Sequence, residues 1–88
     1  MATVNITPTA TEQIGELPLP MQGRVWRIVA RLDAWPAVSG AKPMREDLVG
    51  HYRIRTGDYR LIFQATDRTP EATITVVRVG HRRDVYDD

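Results

Sequence analysis

The stretch His51-Tyr52-Arg53-Ile54-Arg55-Thr56-Gly57-Asp58-Tyr59-Arg60-Leu61-Ile62-Phe63 predicts how the second half of the chain folds. Gly57-Asp58, between two alternating segments, is typical of a two-residue β-hairpin turn, and this turn places Arg55 opposite Arg60. Since side chains two residues apart share a strand face, Arg53 joins them. The other face of the predicted hairpin is apolar and consists of Tyr52, Ile54, Leu61 and Phe63.

The predicted pairing of Arg55 with Arg60 points to an anionic ligand. Like charges directly opposite each other weaken a strand pair by roughly 0.2–1 kcal/mol, so the pairing has no stability benefit of its own. The guanidinium group is permanently charged, and its planar set of donors matches the oxygens of a phosphate. Two further arginines, Arg82 and Arg83, follow the last predicted strand. The pattern therefore favours a phosphate polyanion over a carboxylate metabolite, the alternative being a solvated charged face.

Net charge alone does not indicate nucleic-acid binding, because it is only +1. Its distribution is uneven, however: residues 1–50 contain five basic and five acidic side chains, whereas residues 51–86 contain seven arginines and four acidic side chains. The second half of the chain is therefore the basic half.

Length and composition predict one domain spanning residues 1–88, with a single small core. The chain has no cysteine and two histidines, which excludes a disulfide framework and a thiol nucleophile and argues against a metal cage. We therefore expect no cofactor and metal-independent chemistry. No apolar run approaches the roughly 18–20 residues that span a bilayer, so we expect a cytoplasmic protein without a membrane partner.

The first half of the chain shows helical patterns. Residues 3–6 form a short β-prone segment, and Thr7-Pro8 then predicts an N-cap followed by proline at the first helical position. A second helix is predicted from Pro20 or Met21 to Trp35-Pro36, with an apolar stripe along one side. That stripe consists of Met21, Val25, Ile28, Val29, Leu32 and Trp35. Residues 37–43 are rich in small residues and breakers and are predicted to form a loop.

From Leu48 the spacing of apolar residues changes from a helical period to a period of two residues. This predicts strands over residues 48–55, 59–66 and 72–79, with a turn at residues 67–70. The order β-α-α-β-β-β predicts an α+β fold, in which an antiparallel meander packs one face on an N-terminal helix pair and leaves the other face open. Arg78 lies two residues from Val76, so strand alternation predicts that Arg78 lies outside the arginine cluster formed by Arg53, Arg55 and Arg60.

Two segments carry a resemblance to a known family: Leu48-x-Gly50-x-Tyr52-Arg53-Ile54-Arg55-x-Gly57-x-Tyr59-Arg60-x-Ile62-Phe63 and Val79-Gly80-His81-Arg82-Arg83-x-Val85-Tyr86. Together with the order of elements, they resemble the RelE/ParE toxin superfamily, and the RelE branch most closely. The resemblance implies the toxin of a type II toxin–antitoxin pair, bound by a cognate antitoxin in a hetero-oligomer. RelE-type members cut mRNA in the ribosomal A site, whereas ParE-like members inhibit DNA gyrase.

The resemblance also implies roles for individual residues. Arg60 and Arg82 match functional arginines of RelE-type enzymes, and Tyr86 matches a C-terminal tyrosine that stacks on a base or assists proton transfer. Arg53 stands where the founding branch tends to have a lysine. The resemblance thus implies RNA contacts from Arg53 and Arg83, and an endoribonuclease that uses the RNA 2′-hydroxyl as its nucleophile.

The general base is open at this point. Arg55 also replaces a lysine of the founding branch, and arginine cannot readily accept a proton, so we expect Arg55 to position the phosphate or stabilise charge. His81 and Glu46 are the candidates for proton transfer, since relatives use a histidine and a glutamate in these roles. Two other functions stay open: a ParE-like gyrase inhibitor, and a degenerate toxin that acts only as an antitoxin-binding module.

Overall fold

A mixed five-stranded sheet carries two helices on one face in the computed structural model, which describes residues 2–66 and 72–83. The helices are α1 (Pro8–Gly15) and α2 (Leu19–Arg31), and the strands are β1 (Thr3–Ile6), β2 (Lys42–Pro43), β3 (His51–Thr56), β4 (Tyr59–Thr66) and β5 (Thr73–His81). The strand order is β1-β5-β4-β3-β2, with β1 parallel to β5 and the other neighbours antiparallel. The predicted α+β fold and its antiparallel meander are confirmed.

The predicted hairpin register is also confirmed. Arg55 lies opposite Arg60, and Thr56 lies opposite Tyr59. Gly57 has a φ of +59°, a conformation that glycine adopts without the steric cost of a Cβ atom. The two-residue turn therefore determines which side chains of β3 and β4 are neighbours.

Several predicted element boundaries were wrong. Strand β3 begins at His51, because Leu48 lies in a short 3₁₀ turn, Glu46–Leu48. Strand β5 continues to His81 rather than ending at residue 79. The predicted loop over residues 37–43 contains the two-residue strand β2, which was missed because proline usually argues against a strand; at the edge of a sheet the missing N–H is tolerated. The predicted turn at residues 67–70 lies outside the described residues.

Local signals account for the two helices. The Thr7 hydroxyl oxygen accepts a hydrogen bond from the Ala10 N–H at 3.1 Å, and Pro8 occupies the first helical position, as predicted. The side-chain amide of Gln22 in α2 donates to the Leu17 carbonyl oxygen at 2.9 Å and so ties the connection between the helices to α2. Helix α2 ends at Arg31, and a 3₁₀ turn follows at Leu32–Ala34. The predicted end of the helix, at Trp35-Pro36, was therefore wrong by several residues.

A β-bulge in β5 changes which side chains share a face. Ile62 lies opposite Arg78, whereas the next residue of β4, Phe63, lies opposite Val76. Val77 is therefore an extra residue in β5. The expectation that Arg78 lies outside the arginine cluster was wrong, because the bulge interrupts simple alternation from Val76 and aligns Arg78 with Ile62.

The main core lies between the helices and one face of the sheet. Its buried members from the sheet are Ile54, Leu61, Phe63, Ile74, Val76 and Val79, and those from the helical layer are Ala10, Ile14, Leu17, Val25, Ile28 and Leu32. The ring centroids of Tyr52 and Phe63 are 5.7 Å apart, and the Trp35 ring meets both edge-on. No helix within the described residues is long and apolar enough to cross a membrane.

Candidate functional site

Among the described residues, four arginines lie on the face of the sheet opposite the helices, which we call the arginine face: Arg53, Arg55, Arg60 and Arg78. The hairpin register joins Arg55 to Arg60, and the next row of the same face joins Arg53, Ile62 and Arg78 across three strands. Three of these arginines were predicted to lie together, and the bulge adds Arg78. The arrangement places several permanent positive charges on one surface, as phosphate binding requires.

Arg60 differs from the other three arginines of this face in being buried, with only 7% of its surface exposed. Its neighbour across β3 is Arg55 and its neighbour across β5 is Gly80, which has no side chain. The exposure of 7% means that surrounding protein atoms enclose the arm of Arg60. A charged side chain confined in this way loses little conformational freedom when it binds an anion.

The remaining arginines of this face are less enclosed. Arg53 is partly buried, and its Nε and Nη1 atoms are covered. Arg55 and Arg78 are exposed. A buried guanidinium at Arg60 is thus flanked by exposed ones, which suits a ligand that arrives from solvent and extends over more than one row of the sheet.

Arg82 is held beside the hairpin turn. Its backbone N–H donates to the Asp58 carbonyl oxygen at 2.8 Å, which continues the β5 pairing one step past its last residue. Arg82 lies one residue past the end of β5 and two residues beyond Gly80, the neighbour of Arg60. Arg82 and Arg83 are both exposed.

His81 lies on the other side of the sheet. It pairs with Tyr59, and the two rings contact edge-on with centroids 5.3 Å apart. Both line a separate cavity of about 330 Å³ near the end of α1. The His81 Nδ1 atom accepts a hydrogen bond from the Arg83 N–H at 3.1 Å. The structure therefore does not bring His81 together with Arg55 and Arg60.

A cavity of about 410 Å³ opens on the arginine face, next to the segment that precedes β3. Its lining residues are Arg45, Asp47, Leu48, His51, Ile62, Val77 and Arg78. His51 pairs with Gln64 on the same face, and its Nδ1 atom is buried with no hydrogen-bond partner among the described residues. The cavity thus combines an apolar wall with charged and polar groups from three parts of the chain.

The other proton-transfer candidates occupy different places. Glu46 lies in the 3₁₀ turn Glu46–Leu48, between two residues that line the cavity. Tyr86 lies outside the described residues. Within residues 2–66 and 72–83, no group of three histidine, cysteine, aspartate or glutamate side chains is arranged to hold a metal ion.

Sequence reasoning missed two contributions to this surface. Arg78 was excluded because a bulge leaves no clear local signature when the bulged residue is an ordinary valine. Arg45 and Asp47 were not considered because they belong to an irregular segment, whose position depends on its packing over Ile62 through Met44 and Leu48. The apolar residue Ile62 on an otherwise polar strand face was the available signal, since such a residue is usually covered by something.

Comparison with known proteins gives a family match over nearly the whole chain. The model of the ParE toxin of the type II toxin–antitoxin system parDE matches residues 4–86. Among curated proteins, Toxin RelG from Mycobacterium tuberculosis is 34% identical over 85 residues, which cover 96% of this chain and 94% of RelG. The matched region includes every described residue of the arginine face.

Solved structures give the same result. The toxin–antitoxin complex RelBE2 from Mycobacterium tuberculosis contains a chain with a TM-score of 0.77 and 32% identity, and the match covers 92% of this chain and 98% of that one. The isolated RelE toxin from E. coli matches with a TM-score of 0.72 at 17% identity, covering 92% of this chain and 84% of that one, which shows a shared fold.

Proposed function

Because the chain belongs to the ParE toxin family of type II toxin–antitoxin systems, within the RelE/ParE superfamily, we propose that it is a ribosome-dependent endoribonuclease that cuts mRNA in the A site. The observation that carries this proposal is the pairing of buried Arg60 with Arg55 on an open sheet face. A toxin that acted only by covering a protein surface has no evident need for a confined guanidinium beside a second one.

The chemistry suits these residues. The RNA 2′-oxygen attacks the adjacent phosphorus and loses its proton to a base, while the bond from phosphorus to the 5′-oxygen breaks and that oxygen takes up a proton. The products are a 2′,3′-cyclic phosphate and a free 5′-hydroxyl. Negative charge builds up on the non-bridging oxygens during attack, and Arg60 and Arg82 stabilise it. Removing one such donor typically costs about 10²–10³ in rate.

The other arginines bind and orient the RNA in this proposal. Arg55 positions the scissile phosphate, while Arg53 and Arg83 contact neighbouring phosphates, since guanidinium cannot readily exchange its proton. Proton transfer falls to Glu46, His81 and Tyr86. His81 stands on the other face of the sheet, so its role as acid or base requires RNA that reaches around the end of β5.

A cognate antitoxin is the expected protein partner. RelBE2 of Mycobacterium tuberculosis, which resembles this chain at 32% identity, is a toxin–antitoxin complex. We propose that an antitoxin with acidic side chains covers the arginine face and forms a hetero-oligomer with the toxin. Positive charge concentrated on one surface favours such a partner through electrostatic complementarity.

The deciding experiment is cleavage of a defined mRNA on programmed ribosomes, mapped by primer extension. We expect A-site cuts from the wild-type protein and a loss of about 10²–10³ in rate from Arg60→Ala and from Arg82→Ala. Arg24→Ala, which removes an exposed arginine from α2, is the matched control and should cut at the wild-type rate. Cleavage that persists in both site variants would remove the arginines from the mechanism.

A second function is favoured by the family match itself, because the matching model is that of ParE toxins. This alternative is inhibition of DNA gyrase without nuclease activity. It predicts toxicity with DNA damage and intact mRNA. A protein that is folded, cuts no mRNA and is not toxic when expressed alone would instead be a degenerate toxin that survives as an antitoxin-binding module.

A further inference from the structure

Two hydrogen bonds hold the chain just after β5, where Arg82 stands. The Arg82 N–H donates to the Asp58 carbonyl oxygen at 2.8 Å. The next N–H along the chain, that of Arg83, donates to the His81 Nδ1 atom at 3.1 Å. Arg82 and Arg83 lie in a turn, and both are exposed. The backbone of Arg82 is therefore held on both sides, although its side chain reaches solvent.

The bond to His81 follows the pattern of an Asx turn. In such a turn, the side-chain oxygen of asparagine or aspartate accepts a hydrogen bond from the N–H two residues later. The Nδ1 atom of histidine is bonded to Cγ, as the Oδ1 atom of asparagine is, and in His81 it accepts from the residue two positions later. The side chain of the last residue of β5 thus binds the N–H that follows, where the chain leaves the strand.

The other histidine shows that spacing alone does not produce this bond. His51-Tyr52-Arg53 has the same order of histidine, any residue and arginine as His81-Arg82-Arg83. The His51 Nδ1 atom nevertheless has no hydrogen-bond partner among the described residues. His51 begins β3, and the extended backbone continues through Arg53. The bond at His81 therefore depends on the turn that follows β5.

We propose that His81 is a positioning residue that holds Arg82 in place for phosphate binding through its bond with the Arg83 N–H, an inference that rests on the proposed nuclease function. Arg82 stabilises the developing charge in that function, and a segment that is already fixed loses less conformational freedom when it binds. This role needs no RNA on the helix side of the sheet. It leaves proton transfer, assigned above to three residues, to Glu46 and Tyr86.

Protonation of the His81 ring should release the segment. A protonated imidazole carries a proton on both nitrogens and accepts no hydrogen bond. The ionisable and charged groups around the ring are Tyr59 of β4, Glu16 of α1, Asp58 of the hairpin turn, and Arg82 and Arg83. We therefore expect the bond to be present while the ring is neutral and absent once the ring is charged.

Two variants separate the acceptor atom from the ring. His81→Asn keeps an acceptor that suits this turn but removes the ring that contacts Tyr59, whereas His81→Phe keeps a ring and removes the acceptor. In cleavage on programmed ribosomes, we expect His81→Phe to lower kcat about fivefold, the value of one typical hydrogen bond, with KM unchanged. His81→Asn should recover that loss.

The loss should also depend on Arg82. In an Arg82→Ala background, His81→Phe should change kcat no further, because no guanidinium remains to be positioned. If His81 were an acid or base, both His81 variants would lose about 10²–10⁴ in rate, since neither new side chain transfers protons. Equal kcat in the two variants, or a loss only in His81→Asn, would overturn the positioning role.

A measurement on the free toxin separates this inference from the proposed function. In a pH titration, the proton–nitrogen nuclear Overhauser effects of Arg82 and Arg83 should fall as the His81 ring becomes charged, and in His81→Asn they should not. Arg53, two residues after His51, is the internal control and should keep its value. If the effects fall but the protein cuts no mRNA, His81 holds the segment and the nuclease proposal fails. Cleavage by a toxin whose Arg82 and Arg83 ignore the ring would overturn the inference instead.

Discussion

The two faces of strands β3 to β5 are built from alternate residues of the same segments, yet they differ in how they are completed. The core face is covered by α1 and α2 and contains continuous buried apolar side chains. On the arginine face, the segment before β3 packs on Ile62, and four of the described residues, Arg53, Arg55, Arg60 and Arg78, carry positive charge. Burial of apolar side chains explains the residues of the core face, whereas ligand binding better explains the charged residues of the arginine face. Substitutions on the two faces should therefore separate stability from activity.

Phe63→Ala should produce the largest loss of stability, because Phe63 is fully buried and contacts both Trp35 and Tyr52. We expect the free energy of unfolding to fall by about 3–5 kcal/mol, measured by urea denaturation. Trp26→Ala, at a helix position with 43% exposure, should cost much less. Equal losses from the two variants would mean that the core face is not the main source of stability.

Gln13→Ala tests the contact between α1 and the part of β5 that lies beyond its pairing with β1. The Gln13 side-chain oxygen accepts a hydrogen bond from the Val79 N–H at 2.8 Å, beyond the point where β1 stops pairing with β5. Removing it leaves a buried N–H unpaired, so unfolding should become easier by about 1–3 kcal/mol in urea denaturation. Gln64→Ala, at an exposed position of β4, is the control and should change little. A negligible effect of Gln13→Ala would show that water replaces the lost contact.

Arg78→Ala tests whether the bulge adds a fourth arginine to the RNA surface. If Arg78 contacts one phosphate, the slope of log affinity against log salt should fall by about 0.7 for single-stranded RNA, measured by fluorescence anisotropy. Stability should hardly change, since Arg78 is exposed. Arg27→Ala, on the exposed side of α2, should keep the wild-type slope. An unchanged slope in Arg78→Ala would place RNA elsewhere on this face.

Arg55→Thr should give a small change in the free energy of unfolding, and this change should be an increase rather than a decrease. Replacing one of two directly opposed arginines with a residue favoured in strands should raise the free energy of unfolding by about 0.2–1 kcal/mol, while A-site cleavage falls. Arg55→Lys keeps the positive charge and should show no such gain. A destabilised Arg55→Thr variant would mean that the pair contributes to folding, which would weaken the argument that function maintains it.

The sequence predicted the local geometry well because the deciding signals are short-range. Gly57-Asp58 determines the register of its own hairpin, and Thr7-Pro8 starts α1 with a cap formed three residues away. The parallel pairing of β1 with β5 joins segments about seventy residues apart, and no nearby residue encodes it. The strand β2 was hidden by Pro43, because the tolerance of an edge position depends on where the strand lies in the sheet.

The candidate site also has a part that local sequence signals predicted and a part that they did not. Arg53, Arg55 and Arg60 were placed on one face by alternation alone, because the strand period is two whatever the tertiary context. Arg78 joined them only through the extra residue Val77, and the cavity depended on a segment that packs over Ile62. The sequence by itself thus determined the hairpin, the helices and the charge of the arginine face. Tertiary structure decided which distant segments complete that face, because pairing across the sheet is settled by packing and register together rather than by local preference.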